Sequence, residues 1–146
     1  MPEFRCVRIT TEEQLTRAQQ IRIQVFVDEQ GIPGSMEFDD KDPVSIHVLG
    51  YEGDLPIATG RLVPADRGAG QLSRIAVLPE YRGRSYGKEV VRTLEVLARQ
   101  EHMHHLFLYP HSYLERFYAS LGYKTVPGVE DQVAGHPLIL MEKDLG

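Results

Sequence analysis

One segment constrains this chain more than any other. Residues 72 to 78 form a short, largely apolar run suited to a buried strand, Pro79 ends it, and Glu80-Tyr81-Arg82-Gly83-Arg84-Ser85-Tyr86-Gly87-Lys88 turns into a helix. That helix, over residues 85 to 101, carries Val90, Val91, Leu94, Leu97 and Ala98 at offsets 0, 1, 4, 7 and 8, an apolar stripe with no competing strand reading. A second buried-looking strand follows at residues 104 to 109. Strand, helix and strand in this order predict a crossover unit, so part of the sheet is expected to be parallel, with helices covering its faces.

The remaining segments supply partners for that unit. Residues 4 to 9 alternate as a strand, and Thr10-Thr11-Glu12-Glu13 reads as a capping box with Thr10 as N-cap and Glu13 reaching back from N3. The helix opened there carries Leu15, Ala18, Val25 and Phe26 and is expected to stop before Gly31-Ile32-Pro33-Gly34, with a loop up to about Pro43. Residues 44 to 51 and 55 to 63 read as strands joined at Glu52-Gly53-Asp54, and residues 71 to 78 follow the turn at Gly68-Ala69-Gly70, which predicts an antiparallel meander. Leu114, Phe117, Tyr118 and Leu121 mark a short helix with Gly122 at C′, and residues 123 to 126 and 137 to 142 offer two last strands. The resulting order is strand, helix, three strands, helix, strand, helix, two strands.

No repeat or linker divides this pattern, and 146 residues make one domain that can bury roughly 68–70% of its unfolded surface without a staple. The single cysteine, Cys6, excludes an internal disulfide and a Cys-rich zinc site and reads as a packing residue. His102, His104 and His105 lack metal-site spacing, so no metal is expected. Sixteen Lys and Arg against twenty-one Asp and Glu give a net charge of −5, which disfavours nucleic acid as a partner. No apolar run approaches the roughly 18 residues of a membrane span. The start, Met1-Pro-Glu-Phe-Arg-Cys, lacks the apolar core and cleavage site of a secretory signal, so a cytoplasmic location with no membrane partner is expected.

The turn from residue 79 to 88 is where chemistry concentrates. Backbone N–H groups at a helix start, reinforced by the helix dipole, suit a phosphate, and Arg82, Arg84 and Lys88 would add positive charge. The plainer alternative is that Gly83 and Gly87 only permit the turn while the cations are solvated. Two familiar phosphate motifs fail: Gly83 and Gly87 enclose three residues where a Walker loop needs four, and Gly68-x-Gly70 precedes its strand and lacks a third glycine.

Ile75-Ala76-Val77-Leu78-Pro79 followed by Arg82-Gly83-Arg84-Ser85-Tyr86-Gly87 resembles the signature of the GNAT N-acetyltransferase superfamily, Arg/Gln-x-x-Gly-x-Gly/Ala after a strand ending near Ala-Val-x-Pro. Ser85 stands where the first motif glycine is usual. Phe117-Tyr118-Ala119-Ser120-Leu121-Gly122-Tyr123 is similar to the superfamily's Phe-Tyr-x-x-Leu-Gly-Phe, about thirty residues later in the expected order. Val25-Phe26-Val27-Asp28-Glu29-Gln30, Glu37-Phe38-Asp39 with Asp42, and Ile46-His47 resemble recurrent features of a less characterised branch, so the likeness spans nearly the whole chain.

The resemblance implies an α/β fold with a mixed, mostly antiparallel central sheet of about six or seven strands, flanked by three or four helices. It implies acetyl-CoA as donor, a primary amine of a small molecule as acceptor, and leaves a homodimer, a protein amine or a non-catalytic acyl-CoA sensor as alternatives. Backbone groups of the Ile75, Ala76 and Val77 stretch would follow the pantetheine arm, and the amides of Arg82, Gly83, Arg84, Ser85, Tyr86, Gly87 and Lys88 would hold the pyrophosphate. Tyr118 is the implied proton donor to the departing thiolate, although its spacing equally fits a core tyrosine.

An alkylamine with a pKa near 10.4 must lose a proton before it attacks. Glu29, Asp39, Asp40 and His47 are the candidate acceptors, directly or through water. Six of the twenty-one acids, Asp28, Glu29, Glu37, Asp39, Asp40 and Asp42, fall within fifteen residues and could wall a site for a cationic amine. Arg61 and Arg74 would instead suit a phosphate or carboxylate on the acceptor, or pair with that acidic loop.

Overall fold

The computed structural model describes residues 3 to 37 and 39 to 146; Phe38 of the Glu37-Phe38-Asp39 motif lies outside them. Strand β1 (Phe4–Arg8) leads into α1 (Glu12–Arg22), which continues as a π-helical segment (Ile23–Glu29). A one-turn helix α2 (Gly34–Glu37) precedes the meander β2 (Ile46–Glu52), β3 (Leu55–Pro64) and β4 (Ala69–Val77). Then come α3 (Tyr86–Gln100), β5 (His105–Leu108), α4 (Glu115–Ser120), β6 (Lys124–Val133) and β7 (His136–Asp144).

The seven strands form one sheet in the order β1-β2-β3-β4-β5-β7-β6, antiparallel throughout except for β4 against β5. This agrees with the mixed, mostly antiparallel sheet expected from the sequence. The parallel pair is short. It holds register at only three positions, Ala69 with His105, Gly70 with Leu106 and Gln71 with Phe107. Beyond Gln71, β4 runs on to Val77 with β3 alone beside it, and the two parallel strands part.

Each face of the sheet is covered for a readable reason. The α3 stripe packs Val90, Val91, Leu94, Leu97 and Ala98 against Val48, Ala58, Leu62 and Leu72, and burying each of those Val and Leu side chains contributes about 1.5–3 kcal/mol. Gly60 on β3 allows this close approach, because a Cβ there would lie 2.7 Å from Val90 Cγ1 and 2.9 Å from Leu94 Cδ1. On the opposite face, Ala18 and Ile21 of α1 and Val25 of the π-helical segment pack on Leu49 and Ala76.

Local details differ from the sequence reading in ways that have physical causes. The capping box sits one residue later: Thr11 accepts from Gln14 N at 3.1 Å, and Gln14 Oε1 accepts from Thr11 N at 3.2 Å. Glutamine closes the box as well as glutamate does, so Thr10 and Glu13 do not form it. The first helix widens to π geometry from Ile23, which carries Val25 into the core and Phe26 toward the parting strands. The stretch after Gly31 holds α2 rather than loop alone, and β6 extends through Pro127 and Gly128 by a register shift between Thr125 and Glu130. Among the described residues no helix is long and apolar enough to cross a membrane, and no group of His, Cys, Asp or Glu could hold a metal ion.

Candidate active site

Where β4 and β5 part, a cavity of about 330 Å³ opens. Leu72 and Ile75 of β4, Leu108 of β5 and Leu114 give it apolar walls, and α4 carries Tyr118 into it. The Tyr118 ring is 4% exposed and stacks edge-to-face with Phe117 and Tyr123, at centroid distances of 4.9 and 5.9 Å. Its hydroxyl has no hydrogen-bond partner among the described residues, and burial pushes the phenol well above its ordinary pKa. A protonated, uncommitted hydroxyl at the cavity wall can donate a proton to an anion formed there.

The open edge of β4, residues 72 to 77, runs along this cavity toward the turn. Leu78 N–H donates to the Ile57 carbonyl at 2.9 Å, so the Val77 carbonyl, across the same trans peptide, faces the open side. Arg82 Nε donates to that carbonyl at 2.9 Å. The turn then takes left-handed backbone at Gly83 (φ +80°) and at Ser85 (φ +65°), and α3 starts at Tyr86 with no side chain capping it. A Cβ on Gly83 would meet nothing within 4 Å, so the turn faces open space. Its first amides have no helical partner of their own, which suits an anion.

The arginines of the turn are already paired. Arg82 grips Glu29 with two hydrogen bonds of 2.6 and 2.7 Å, and Arg84 donates to Glu52 at 2.7 Å, as does the Tyr86 hydroxyl at 2.5 Å. Tyr86 stacks on Phe4 at 4.2 Å. Gly87 faces the Phe117 ring, which a Cβ would meet at 3.5 Å, an ordinary contact. Lys88, in the first turn of α3, follows them.

A second cluster borders the cavity on the α1 face. Arg22, 1% exposed, is ion-paired with Glu37, 2% exposed, and donates to both oxygens of Asp42 at 3.0 Å. Arg61 donates to Asp39 at 2.8 and 3.1 Å, to Asp42 at 2.9 Å and to Ser73 at 3.0 Å. Arg74 pairs with Glu37 at 2.7 Å and reaches Asp39 at 3.4 Å. Three guanidiniums and three carboxylates thus neutralise one another. Burial would raise the Asp39 carboxyl, but the hydrogen bond from Arg61 overrides it and holds the pKa at about 2. Arg74 reaches this cluster from a β-bulge, with φ +53° and β4 register broken between Ser73 and Ala76.

The sequence candidates are therefore dispersed. Ile75, Ala76, Val77 and the turn from Arg82 to Lys88 form one continuous rim, and Tyr118 lies at the cavity. Glu29 belongs to the turn through Arg82, which lowers its carboxyl pKa. Asp39, Arg61 and Arg74 satisfy each other, and Asp40 is exposed beside them. His47 is buried behind the cluster, its Nε2 2.9 Å from the Asp42 carbonyl, and burial lowers its pKa. The sequence reading passed over several polar residues of the cavity, Tyr109 and Asp131 among them, and above all His111. The signal available was position alone: it follows Tyr109-Pro110 at the end of the second parallel strand, where such strands open.

The sequence profile of the acetyltransferase (GNAT) family matches residues 11–123. The chain belongs to that family. It is 34% identical over 141 residues to the uncharacterized N-acetyltransferase YjcF of Bacillus subtilis, covering 97% of this chain and 100% of that one. The crystal structure of a candidate N-acetyltransferase from Lactobacillus plantarum superposes with a TM-score of 0.90 at 30% identity, over 98% of this chain and 99% of the other. Escherichia coli ElaA gives 0.82 at 27% identity, over 98% and 99%. As a GNAT member the chain is an acyltransferase.

Proposed function

We propose that this GNAT protein transfers an acetyl group from acetyl-CoA to a primary amine of a small molecule. The observation that carries the reading is the continuous rim from the cavity at Tyr118, along the free edge of β4, to the open turn at Gly83 and the uncapped start of α3. Such a rim matches a donor that is thioester at one end and pyrophosphate at the other. Backbone groups of Ile75, Ala76 and Val77 line the pantetheine arm, and the amides of residues 82 to 88 surround the pyrophosphate. Bound acetyl-CoA supplies an activated thioester carbonyl. Tyr118 protonates the departing sulfur.

The charge balance of the Arg22, Arg61, Arg74, Glu37, Asp39 and Asp42 cluster also bears on the acceptor. Its arginines are spent on carboxylates, which argues against a phosphorylated amine, and its carboxylates are spent on arginines, which argues against a polyamine. Beyond it the cavity offers Phe26, Ile32, Val133 and Leu138. These favour an amine with an uncharged, apolar body.

Thiol release from acetyl-CoA, followed with a disulfide dye, tests this over spermidine, glucosamine 6-phosphate, amino acids and 2-phenylethylamine. Fastest turnover with 2-phenylethylamine is expected. Preference for spermidine or the phosphorylated sugar would overturn the acceptor assignment, and no release with any of them would overturn the reaction itself.

A further inference from the structure

A transferase of this kind needs a group that takes the proton from the incoming ammonium, and the sequence candidates are poorly placed for it. Glu29 is held by Arg82, Asp39 by Arg61 and Arg74, and His47 by the Asp42 carbonyl behind the ion cluster, while exposed Asp40 does not line the cavity. Among the titratable residues of the cavity, Glu37 is paired with Arg22 and Arg74, and Asp131 is exposed on the β6 side, its Oδ1 accepting from Gln132 N at 2.8 Å. His111 remains.

Resting on the acetyl-transfer reading above, we propose that His111 is the general base that deprotonates the acceptor amine. Its backbone is pinned beside the cavity: residue 111 bridges to Leu138, its carbonyl accepts from Leu114 N at 2.9 Å, and the Pro110 carbonyl accepts from Ile139 N at 3.0 Å. Its ring is wedged between His136 and Tyr113, at centroid distances of 5.0 and 5.4 Å. Its Nδ1 is buried and has no hydrogen-bond partner among the described residues, so nothing commits the imidazole to a structural bond. His136 is committed instead. A carbonyl only accepts, so His136 Nε2 donates to the Gln30 carbonyl at 3.0 Å.

The surroundings keep His111 basic in form. Burial first, and then the neighbouring His136, hold its pKa below the ordinary imidazole value of 6.5, so the ring is neutral at neutral pH. The other titratable groups at this wall are Tyr109 just after β5, Tyr113 on the following turn, Tyr118 of α4, Asp131 of β6, and Glu37 and Arg74 across the cavity. In the step, His111 accepts one proton from the ammonium, and the freed nitrogen bonds the acyl carbon while the C–S bond breaks. Tyr118 protonates the sulfur, and the second amine proton restores the Tyr118 hydroxyl. The His111 imidazolium then returns its proton to solvent, so the net products are amide, free thiol and one proton.

The test is the pH profile of kcat/KM for thiol release from acetyl-CoA with 2-phenylethylamine, for the wild-type chain, His111→Gln and His111→Ala, with acetyl-CoA affinity measured in parallel. The wild type should lose activity as pH falls through a value below about 6.5. His111→Gln should lose about 10²-fold or more at neutral pH together with that acid limb. His111→Ala should be partly rescued by added imidazole, which loss of folding would not allow. Turnover with the acid limb intact in His111→Gln overturns this proposal alone. Failure of the wild type to bind acetyl-CoA or turn over overturns the reading beneath it.

Discussion

Arg61 donates to both carboxylate oxygens of Asp39, at 2.8 and 3.1 Å, and joins the meander to the segment that follows α2. Arg61 is 3% exposed, and Arg22 and Arg74 bind the neighbouring acids. Three acids of the run that reads as a substrate wall in the sequence, Glu37, Asp39 and Asp42, are paired with arginines in this clamp. Arg61→Ala leaves the partly buried carboxylates of Asp39 and Asp42 without this partner and should destabilise the fold in urea unfolding by more than the roughly 1 kcal/mol of a surface pair.

The same clamp predicts the acid response. Folding lowers the Asp39 pKa from 3.8 to about 2, so its stabilisation is present above pH 3.8 and is lost as pH falls through about 2, below which folded and unfolded states bind the proton alike. Asp39→Asn removes this contribution. Its unfolding free energy should therefore change less between neutral pH and pH 2 than that of the wild type. Parallel curves for the two proteins would show that Asp39 is not the group responsible.

Tyr118 is both a packed ring and an uncommitted hydroxyl, and Tyr118→Phe separates the two. The ring contacts with Phe117 and Tyr123 persist in phenylalanine, so stability and acetyl-CoA affinity should hold. The proton donor is gone, so kcat should fall about 10²–10³-fold. An unchanged kcat in Tyr118→Phe would assign Tyr118 to packing alone.

Two neighbours in the turn should respond in opposite directions. Gly83 and Ser85 both have left-handed backbone, but only Gly83 carries the residue that suits it. Ser85→Gly should stabilise the chain by about 0.5–1 kcal/mol in thermal unfolding, because a left-handed conformation costs a residue with a Cβ about 1–2 kcal/mol. Gly83→Val should do the reverse and weaken acetyl-CoA binding about tenfold or more by calorimetry, since the space it fills is the open face of the turn. Unchanged affinity in a folded Gly83→Val variant would move the pyrophosphate elsewhere.

These outcomes rest on features of unequal legibility. The α3 stripe and the strands on either side of it were readable because a periodic apolar pattern reports directly on which face is buried, and the parallel β4–β5 pair follows from it. The turn at Gly83 was readable as a motif, since left-handed backbone demands particular residues locally. Pairing of charges was not readable: whether Arg61 meets a ligand or Asp39 depends on contacts between residues twenty-two apart, which no local spacing encodes. The π widening after Arg22 and the place of His111 depend likewise on what packs against them from distant strands.

Acetyl transfer itself is tested most directly by product analysis, with mass spectrometry, of the chain incubated with acetyl-CoA and 2-phenylethylamine. N-acetyl-2-phenylethylamine and free CoA are expected in equal amounts, both absent without the protein. Consumption of acetyl-CoA to acetate with no acetylated amine, or no consumption at all, would contradict acetyl transfer.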